Sequence, residues 1–145
     1  MKFQYKFESI KKIKETLEKK AQKELAEVEM HLERCKIEIE KLDNIIKALR
    51  IDVSGQKSVR VSEMHHLGRY EEYLKSEKKV LENNMDELVI LREAKLEELK
   101  TKQKEFKMFE TMEEKHLADF LLTSNHLEQI TIDEIANQKF ARGNL

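Results

Sequence analysis

Residues 21–53 read AQKELAEVEMHLERCKIEIEKLDNIIKALRIDV, and this stretch decides the fold class. Two rows of apolar residues run through it, each with a spacing of seven, and they alternate at steps of four and three. The first row is Ala21, Val28, Cys35, Leu42 and Leu49, and the second is Leu25, Leu32, Ile39, Ile46 and Val53. A heptad pattern of this kind is typical of an α-helix that buries one narrow stripe against another helix.

The composition of the whole chain favours long helices. Of 145 residues, 39% are charged, and the chain has three Gly and no Pro, so a β protein with many tight turns is excluded. The net charge of −1 argues against nucleic acid as the main partner, because phosphate binding requires a basic surplus. One cysteine fits a reducing cytoplasm, and no apolar run approaches the ~18–20 residues of a membrane span.

The pattern predicts an all-α fold, a long two-helix antiparallel coiled-coil hairpin with an overhanging C-terminal helix. Gly55 is predicted to close helix one in the left-handed conformation, and either Ser58 or Ser62, with Ser62 preferred, to cap helix two. The predicted single coiled-coil domain, residues 1–145, consists of helix one over 8–53, a loop over 54–61 and helix two over 62–140.

Two irregularities in the apolar pattern support the antiparallel hairpin. Upstream of residue 21 the apolar residues Ile10, Ile13 and Leu17 lie in a different phase, which indicates a stutter. Helix two has the row Leu67, Leu74, Leu81 and Leu88 with a companion row of Tyr70, Glu77, Asn84 and Leu91; its phase then shifts to Leu96, Leu99, Phe106 and Phe109. In an antiparallel hairpin that turns near residues 57–58, the numbers of two facing residues add to about 115. In that alignment the two phase breaks face each other. We therefore expect an intramolecular hairpin and a monomer in isolation.

In that register helix one reaches only to about residue 107 of helix two, and the chain beyond still carries many apolar residues. These residues require another molecule to cover them, or the chain must fold back. A bend near residues 124–131 would produce the fold-back and is the arrangement that competes with an extended overhang. Thr131 would then cap a new helical turn, with Glu134 reaching back to it. The apolar residues concerned are Phe109, Met112, Leu117, Phe120, Leu121, Leu122, Leu127, Ile130, Ile132, Ile135 and Phe140.

Signals of catalysis or cofactor binding are weak. Cys35 lies within the heptad rows and is interpreted as a small buried hydrophobe. Glu63–His66 and Glu113–His116 each have the Glu-x-x-His spacing of helical metal sites, but they lie 50 residues apart on one predicted helix, so a solvated polar face is favoured. Eight Lys within the first 23 residues leave a membrane-surface or nucleic-acid patch open, with a solvated face favoured. We expect no enzyme, cofactor or metal.

Four short segments, in the same order along the chain, resemble the FliJ family of the bacterial flagellar export apparatus. They cover nearly the whole chain. At position 77, which is apolar in the family, this chain has Glu. The four segments are Tyr5-x-Phe7-x-x-Ile10-x-x-Ile13-Lys14-Glu15, Ser62-Glu63-Met64 with Tyr70-Glu71-Glu72-Tyr73, Lys107-x-Phe109-Glu110-x-Met112-x-Glu114-Lys115, and Ile132-Asp133-Glu134-Ile135 with Lys139-Phe140.

The resemblance implies a non-enzymatic coiled coil, similar to the central stalk of rotary ATPases, that takes part in type III protein export and flagellum biogenesis. Its implied partners are the hexameric export ATPase, the cytoplasmic domain of the export gate, and export chaperones. It implies a cytoplasmic location, peripheral to the membrane at the flagellar base. Tyr73 matches an aromatic residue that the family presents to the gate, and Val80 lies on the same side two turns later.

The apolar overhang, together with the start of helix one, is the predicted contact with the ATPase ring. The hypothesis covers Phe7, Ile10, Ile13, Phe120, Leu121, Leu127, Ile130, Ile135 and Phe140. The main alternative is a structural coiled-coil scaffold that oligomerises through the same apolar tail. The related stalk of an injection system is a further alternative. A prefoldin-like chaperone is disfavoured, because the predicted loop is too short for a β-hairpin platform.

Overall fold

The structure is a computed structural model that describes residues 2–55 and 60–143. Helix α1 spans Glu8–Ser54 and helix α2 spans Val61–Gly143, and the two described ranges contain no strand. The predicted all-α fold is confirmed. The predicted loop includes residues 56–59, among them Ser58, which lie outside the described residues.

Both helix boundaries are close to the predicted ones, but the predicted caps Gly55 and Ser62 are wrong. The Gly55 N–H donates to the carbonyl oxygen of Ile51 at 3.0 Å, and no described residue has a positive φ, so the chain leaves α1 without a left-handed residue there. At the start of α2 the Met64 N–H donates to the Arg60 carbonyl at 3.0 Å. This bond places Ser62 inside the first turn, so Ser62 cannot be the residue that precedes the helix.

The chain divides into a central unit, residues 20–100, and a terminal unit, residues 1–19 with 101–145. Each unit contains a segment of α1 and a segment of α2. The prediction of one domain stays a prediction, and the two units are described separately.

In the central unit, the predicted seam of α1 is confirmed. All ten residues of its two heptad rows are buried or half-buried, with Ala21, Val28, Leu32 and Ile46 the most deeply buried. On α2 the row of Leu67, Leu74, Leu81 and Leu88 is also buried or half-buried. These apolar side chains form the core of the central unit, as a coiled-coil seam does.

The predicted companion row of α2 is wrong, because Tyr70, Glu77, Asn84 and Leu91 are all exposed. The residues that alternate with the leucines at the correct steps of four and three lie one position further along. They are Glu71, Lys78, Met85, Arg92 and Leu99, which are half-buried or buried except for Arg92. Charged residues thus occupy seam positions of α2.

Four ion pairs join α1 to α2 in the central unit and set its register. They are Arg50–Glu71 at 2.7 Å, Asp43–Lys78 at 2.7 Å, Glu29–Arg92 at 3.4 Å and Glu24–Lys95 at 3.1 Å. The residue numbers fall on one helix as they rise on the other, so the pairing is antiparallel, as predicted. They add to 121 in three pairs and 119 in the fourth, so the predicted register of about 115 is wrong by four to six residues, most of one heptad.

In the terminal unit, the predicted seam upstream of residue 21 is wrong for two of its three residues, whereas the third, Leu17, is half-buried. Ile10 and Ile13 are exposed, whereas Phe7, Lys11, Lys14 and Glu18 are half-buried. These four residues lie at multiples of seven from the heptad rows of residues 21–53, so α1 has no stutter. The apolar residues alone suggest a stutter because Ile10 and Ile13 lie outside the heptad rows. Lys11 and Lys14 occupy the seam positions instead.

The predicted phase shift in α2 is wrong for the same reason. Leu96, Leu99, Phe106 and Phe109 are half-buried or buried as expected. Two rows of half-buried residues in the terminal unit nevertheless keep the heptad spacing of Leu67 and Glu71 without a break. They are Lys102, Phe109 and His116 in one row and Phe106, Glu113 and Phe120 in the other. The antiparallel pairing is observed in each unit, but the two phase breaks that suggested it do not exist.

We predict that Leu74→Ala lowers the free energy of unfolding by about 2–4 kcal/mol, because Leu74 is only 4% exposed and its loss leaves a cavity in the seam. Urea denaturation followed by circular dichroism measures the change. Ile90→Ala is the matched control on the same helix, since Ile90 is 72% exposed, and its effect should stay below about 0.5 kcal/mol. Equal losses in the two variants would contradict the seam assignment.

Candidate functional site

Three aromatic residues that precede α1 pack on α2 in the terminal unit, and we call Phe3, Tyr5 and Phe7 the N-terminal clasp. The ring centroid of Phe3 lies 5.5 Å from that of Phe120, and the ring centroid of Phe7 lies 6.5 Å from that of Phe109. Tyr5 is buried, and its hydroxyl donates to the carbonyl oxygen of Phe109 at 3.0 Å. Burial and the nearby Glu113 carboxylate raise the pKa of Tyr5, so the hydroxyl remains a donor at neutral pH.

His116 completes this aromatic cluster. Its ring centroid lies 5.7 Å from that of Tyr5 and 6.2 Å from that of Phe7. Its Glu-x-x-His partner, Glu113, forms an ion pair with Lys11, and the hydrogen bond from Lys11 to Glu113 raises the pKa of the ammonium. Glu113 and His116 therefore both have contacts within the terminal unit, Glu113 with Lys11 and His116 with the aromatic rings. Within residues 2–55 and 60–143, no group of three or more metal-ligating side chains occurs.

The predicted ATPase-contact residues outside the tail differ in their exposure. Phe7 and Phe120 are half-buried in contacts within the unit, whereas Ile10 and Ile13 are exposed. The prediction that α2 has no partner in this chain beyond residue 107 is wrong, because the aromatic contacts reach Phe120.

The overhang begins after Phe120, and we call residues 121–143 the tail. Within the tail every residue except Ser124 is exposed, and α2 continues through it to Gly143. The Thr131 hydroxyl donates to the Leu127 carbonyl at 3.0 Å, as a residue inside a helix does, so the competing arrangement with a Thr131 cap and a bend is not observed. The exposed large apolar side chains of the tail are Leu121, Leu122, Leu127, Ile130, Ile132, Ile135 and Phe140.

The predicted gate-contact residues lie in the central unit, on the outside of α2. Tyr73 and Val80 directly precede the seam leucines Leu74 and Leu81, and both are exposed, Tyr73 by 59%. Glu77 lies between them and is also exposed. The structure therefore places the two residues on one accessible face of the helix, without a packing role in the seam.

Ion pairs in the seam of the central unit shift the pKa values of three charged residues of α2. The hydrogen bond from Arg50 lowers the pKa of Glu71, while hydrogen bonds to Asp43 and Glu24 raise the pKa values of Lys78 and Lys95. These shifts favour the charged forms of Glu71, Lys78 and Lys95. Each pair joins a seam position of α2 to a residue beside the seam of α1, where a long side chain keeps its charged end in water.

Sequence reasoning missed the clasp and the charged seam. The clasp has a signal in the alternation of Phe3, Tyr5 and Phe7, since residues two apart lie on one side of an extended segment. The charged seam has a signal in the spacing of seven between Glu71, Lys78 and Met85. Cys35 is half-buried within the seam, as predicted.

The fold is a coiled-coil hairpin of antiparallel helical segments that pack along a narrow seam. Many of its large apolar side chains remain exposed, as in a protein that binds other molecules. No helix among the described residues is long and apolar enough to cross a membrane. The family model of the flagellar FliJ protein matches residues 2–145, and the chain belongs to the FliJ family. Searches of curated proteins and of solved structures gave no match. The protein is thus a component of the flagellar export apparatus, in a family of non-enzymatic export components.

We predict an acid-sensitive contribution from the Arg50–Glu71 pair. Because the folded-state pKa of Glu71 is lowered, its contribution is present above the ordinary carboxyl pKa of about 4.3 and is lost as the pH falls through the folded-state value. Thermal melting of Glu71→Gln should occur below that of the unsubstituted chain at pH 7, and the difference should vanish in strong acid. Glu93→Gln, an exposed acid without an ion pair among the described residues, is the control. A difference that is independent of pH would contradict the pairing.

Proposed function

We propose that this protein acts as the stalk of the flagellar export ATPase. The tail enters the central hole of the hexameric ring and stimulates it, the outer face of α2 around Tyr73 and Val80 contacts the cytoplasmic domain of the export gate, and the hairpin also handles export chaperones. The protein would act in the cytoplasm, held at the inner face of the membrane at the flagellar base. Membership of the FliJ family supports the general role.

The observation that carries the ring assignment is the distribution of apolar residues around the tail. At about 100° per residue, the seven exposed apolar side chains of the tail leave the helix axis in directions with no gap wider than about 80°. A helix that docks in one groove has a single apolar face, whereas a helix that is apolar on all sides requires a partner on all sides. The central hole of a ring provides such an enclosure.

Two further features of the terminal unit support the same assignment. The N-terminal clasp ties the start of the chain to α2 at Phe109 and Phe120, next to the first residues of the tail. Ile10 and Ile13 are exposed on α1 within the same unit and can extend the apolar contact. Contacts between apolar surfaces lack directional bonds, so a shaft of this kind can turn against a ring of similar loops.

We predict that deletion of residues 124–145 abolishes stimulation of the export ATPase. The clasp and the seam lie outside the deleted segment, so helicity and gate binding should persist. ATP hydrolysis by the ring is measured at increasing concentrations of full-length or truncated chain. Full stimulation by the truncated chain would reject the assignment of the tail.

A matched pair of triple variants separates apolar contact from tail length. Leu122→Ser, Ile132→Ser and Phe140→Ser remove three exposed apolar side chains and should reduce stimulation at least about tenfold. Asn125→Ser, Gln129→Ser and Gln138→Ser change three exposed polar residues of the same segment and should leave stimulation nearly unchanged. Light scattering tests the competing scaffold role: a stable dimer that only the apolar triple variant dissolves would favour oligomerisation through the tail.

We predict that the double variant Tyr73→Ala and Val80→Ala weakens binding to the gate domain while thermal stability and ATPase stimulation remain. Both side chains are exposed, so their removal opens no cavity in the seam. Binding is measured by titration of the purified gate domain. Earlier unfolding together with unchanged gate affinity would show instead that the two residues serve the fold.

A further inference from the structure

The outer face of α1 in the central unit carries a second heptad pattern, which we call the outer stripe. Its residues follow one another at steps of four and three, as those of the buried seam do, and every one is exposed. Among its apolar members, Ile37 is 44% exposed and Ile51 is 72% exposed. The seven residues are Met30, Arg34, Ile37, Lys41, Asn44, Ala48 and Ile51.

The outer stripe has the geometry of a helix-docking surface. It lies opposite the seam, where a two-helix hairpin normally presents polar residues to water. From Met30 to Ile51 it extends about 32 Å at 1.5 Å per residue, the length of three heptads. Only a second helix that runs along α1 matches a repeat of this period over that distance.

The hairpin itself shows how this chain treats cations at seam positions. Lys78 and Lys95 occupy seam positions of α2 and pair with Asp43 and Glu24, which lie beside the seam of the opposing helix. Arg92 does the same with Glu29. In the central unit, each of these three seam cations therefore pairs with a carboxylate beside the seam of the facing helix.

The outer stripe contains two cations, seven residues apart, that have no such carboxylate. The Arg34 guanidinium contacts the Met30 sulfur at 3.5 Å, and no ion pair involving Arg34 occurs among residues 2–55 and 60–143. Lys41 reaches only Glu38 of its own helix, at 3.8 Å. Both cations lie beside an apolar side chain of their stripe, as Lys78 of the seam lies beside the seam leucines. The apolar neighbours in the outer stripe are exposed.

We propose that the outer stripe binds an amphipathic α-helix of a partner protein, with apolar residues along its seam and carboxylates beside it that face Arg34 and Lys41. The bound helix would cover Met30, Ile37 and Ile51 and complete a three-helix arrangement over this part of α1. The inference does not depend on the role of the tail or on the gate contact.

The test uses a synthetic helical peptide of about four heptads, with Leu and Ile at the seam positions and Glu at both flanking positions. Repulsion between the flanking Glu residues prevents the peptide from pairing with itself at neutral pH. Its binding to the full-length chain is measured by fluorescence anisotropy. We expect saturable binding that Arg34→Glu with Lys41→Glu weakens at least about tenfold, and that Ile37→Ser with Ile51→Ser weakens to a similar extent.

The control variant, Lys36→Glu with Lys47→Glu, makes the same charge change at exposed positions of α1 outside the stripe and should alter the affinity less than about twofold. A peptide with Lys in place of the flanking Glu should not bind. Circular dichroism checks that each variant folds, and every stripe variant should still stimulate the export ATPase. Equal effects of stripe and control variants, or equal binding of both peptides, would overturn the proposal. So would self-association of the chain that the Ile37 and Ile51 changes abolish, because the occupant would then be a second copy.

Discussion

A helix in a two-helix hairpin can bury only one stripe, about two residues of every seven, and the rest of this structure follows from that limit. Among the described residues only Tyr5 and six aliphatic side chains are buried, and none of them is charged. The seam positions between them are half-buried, so their side chains reach water at the edges. A lysine or glutamate fits there, because its stem packs on apolar neighbours while its charged end pairs beside the opposing seam.

This limit explains why the register is defined although the core is small. Leucine stripes tolerate a shift of one heptad, since apolar contacts are not directional. A shift of that kind would move Lys78 away from Asp43, Glu71 away from Arg50 and Lys95 away from Glu24 at the same time. Each pair is individually weak at a half-exposed site, but all of them favour one alignment of the helices. The leucines supply burial, and the ion pairs select the register.

The sequence was sufficient for the fold class, for both helices to within a few residues, and for the ten seam residues of α1, because apolar spacing reports burial directly. It misplaced the seam wherever charge replaced an apolar residue. The apolar pattern predicts Ile10 and Ile13 as seam residues, but both are exposed, and Lys11 and Lys14 are half-buried instead. Apolar character alone cannot separate these cases, since the distinction lies in which partner each side chain meets. The clasp was missed because it depends on contacts between residues more than 100 positions apart.

The same reasoning separates the apolar residues of this chain into those it satisfies and those it leaves for other molecules. Apolar residues in the continuous heptad rows are covered by the facing helix or by the clasp. Two groups outside the rows differ in their distribution: the apolar residues of the tail point in all directions around the helix, whereas those of the outer stripe of α1 follow one line that also carries two cations without a carboxylate on a facing helix. An apolar surface on all sides requires an enclosing partner, and a single line requires one helix. The two surfaces therefore suit partners of different shape, and they share no residue.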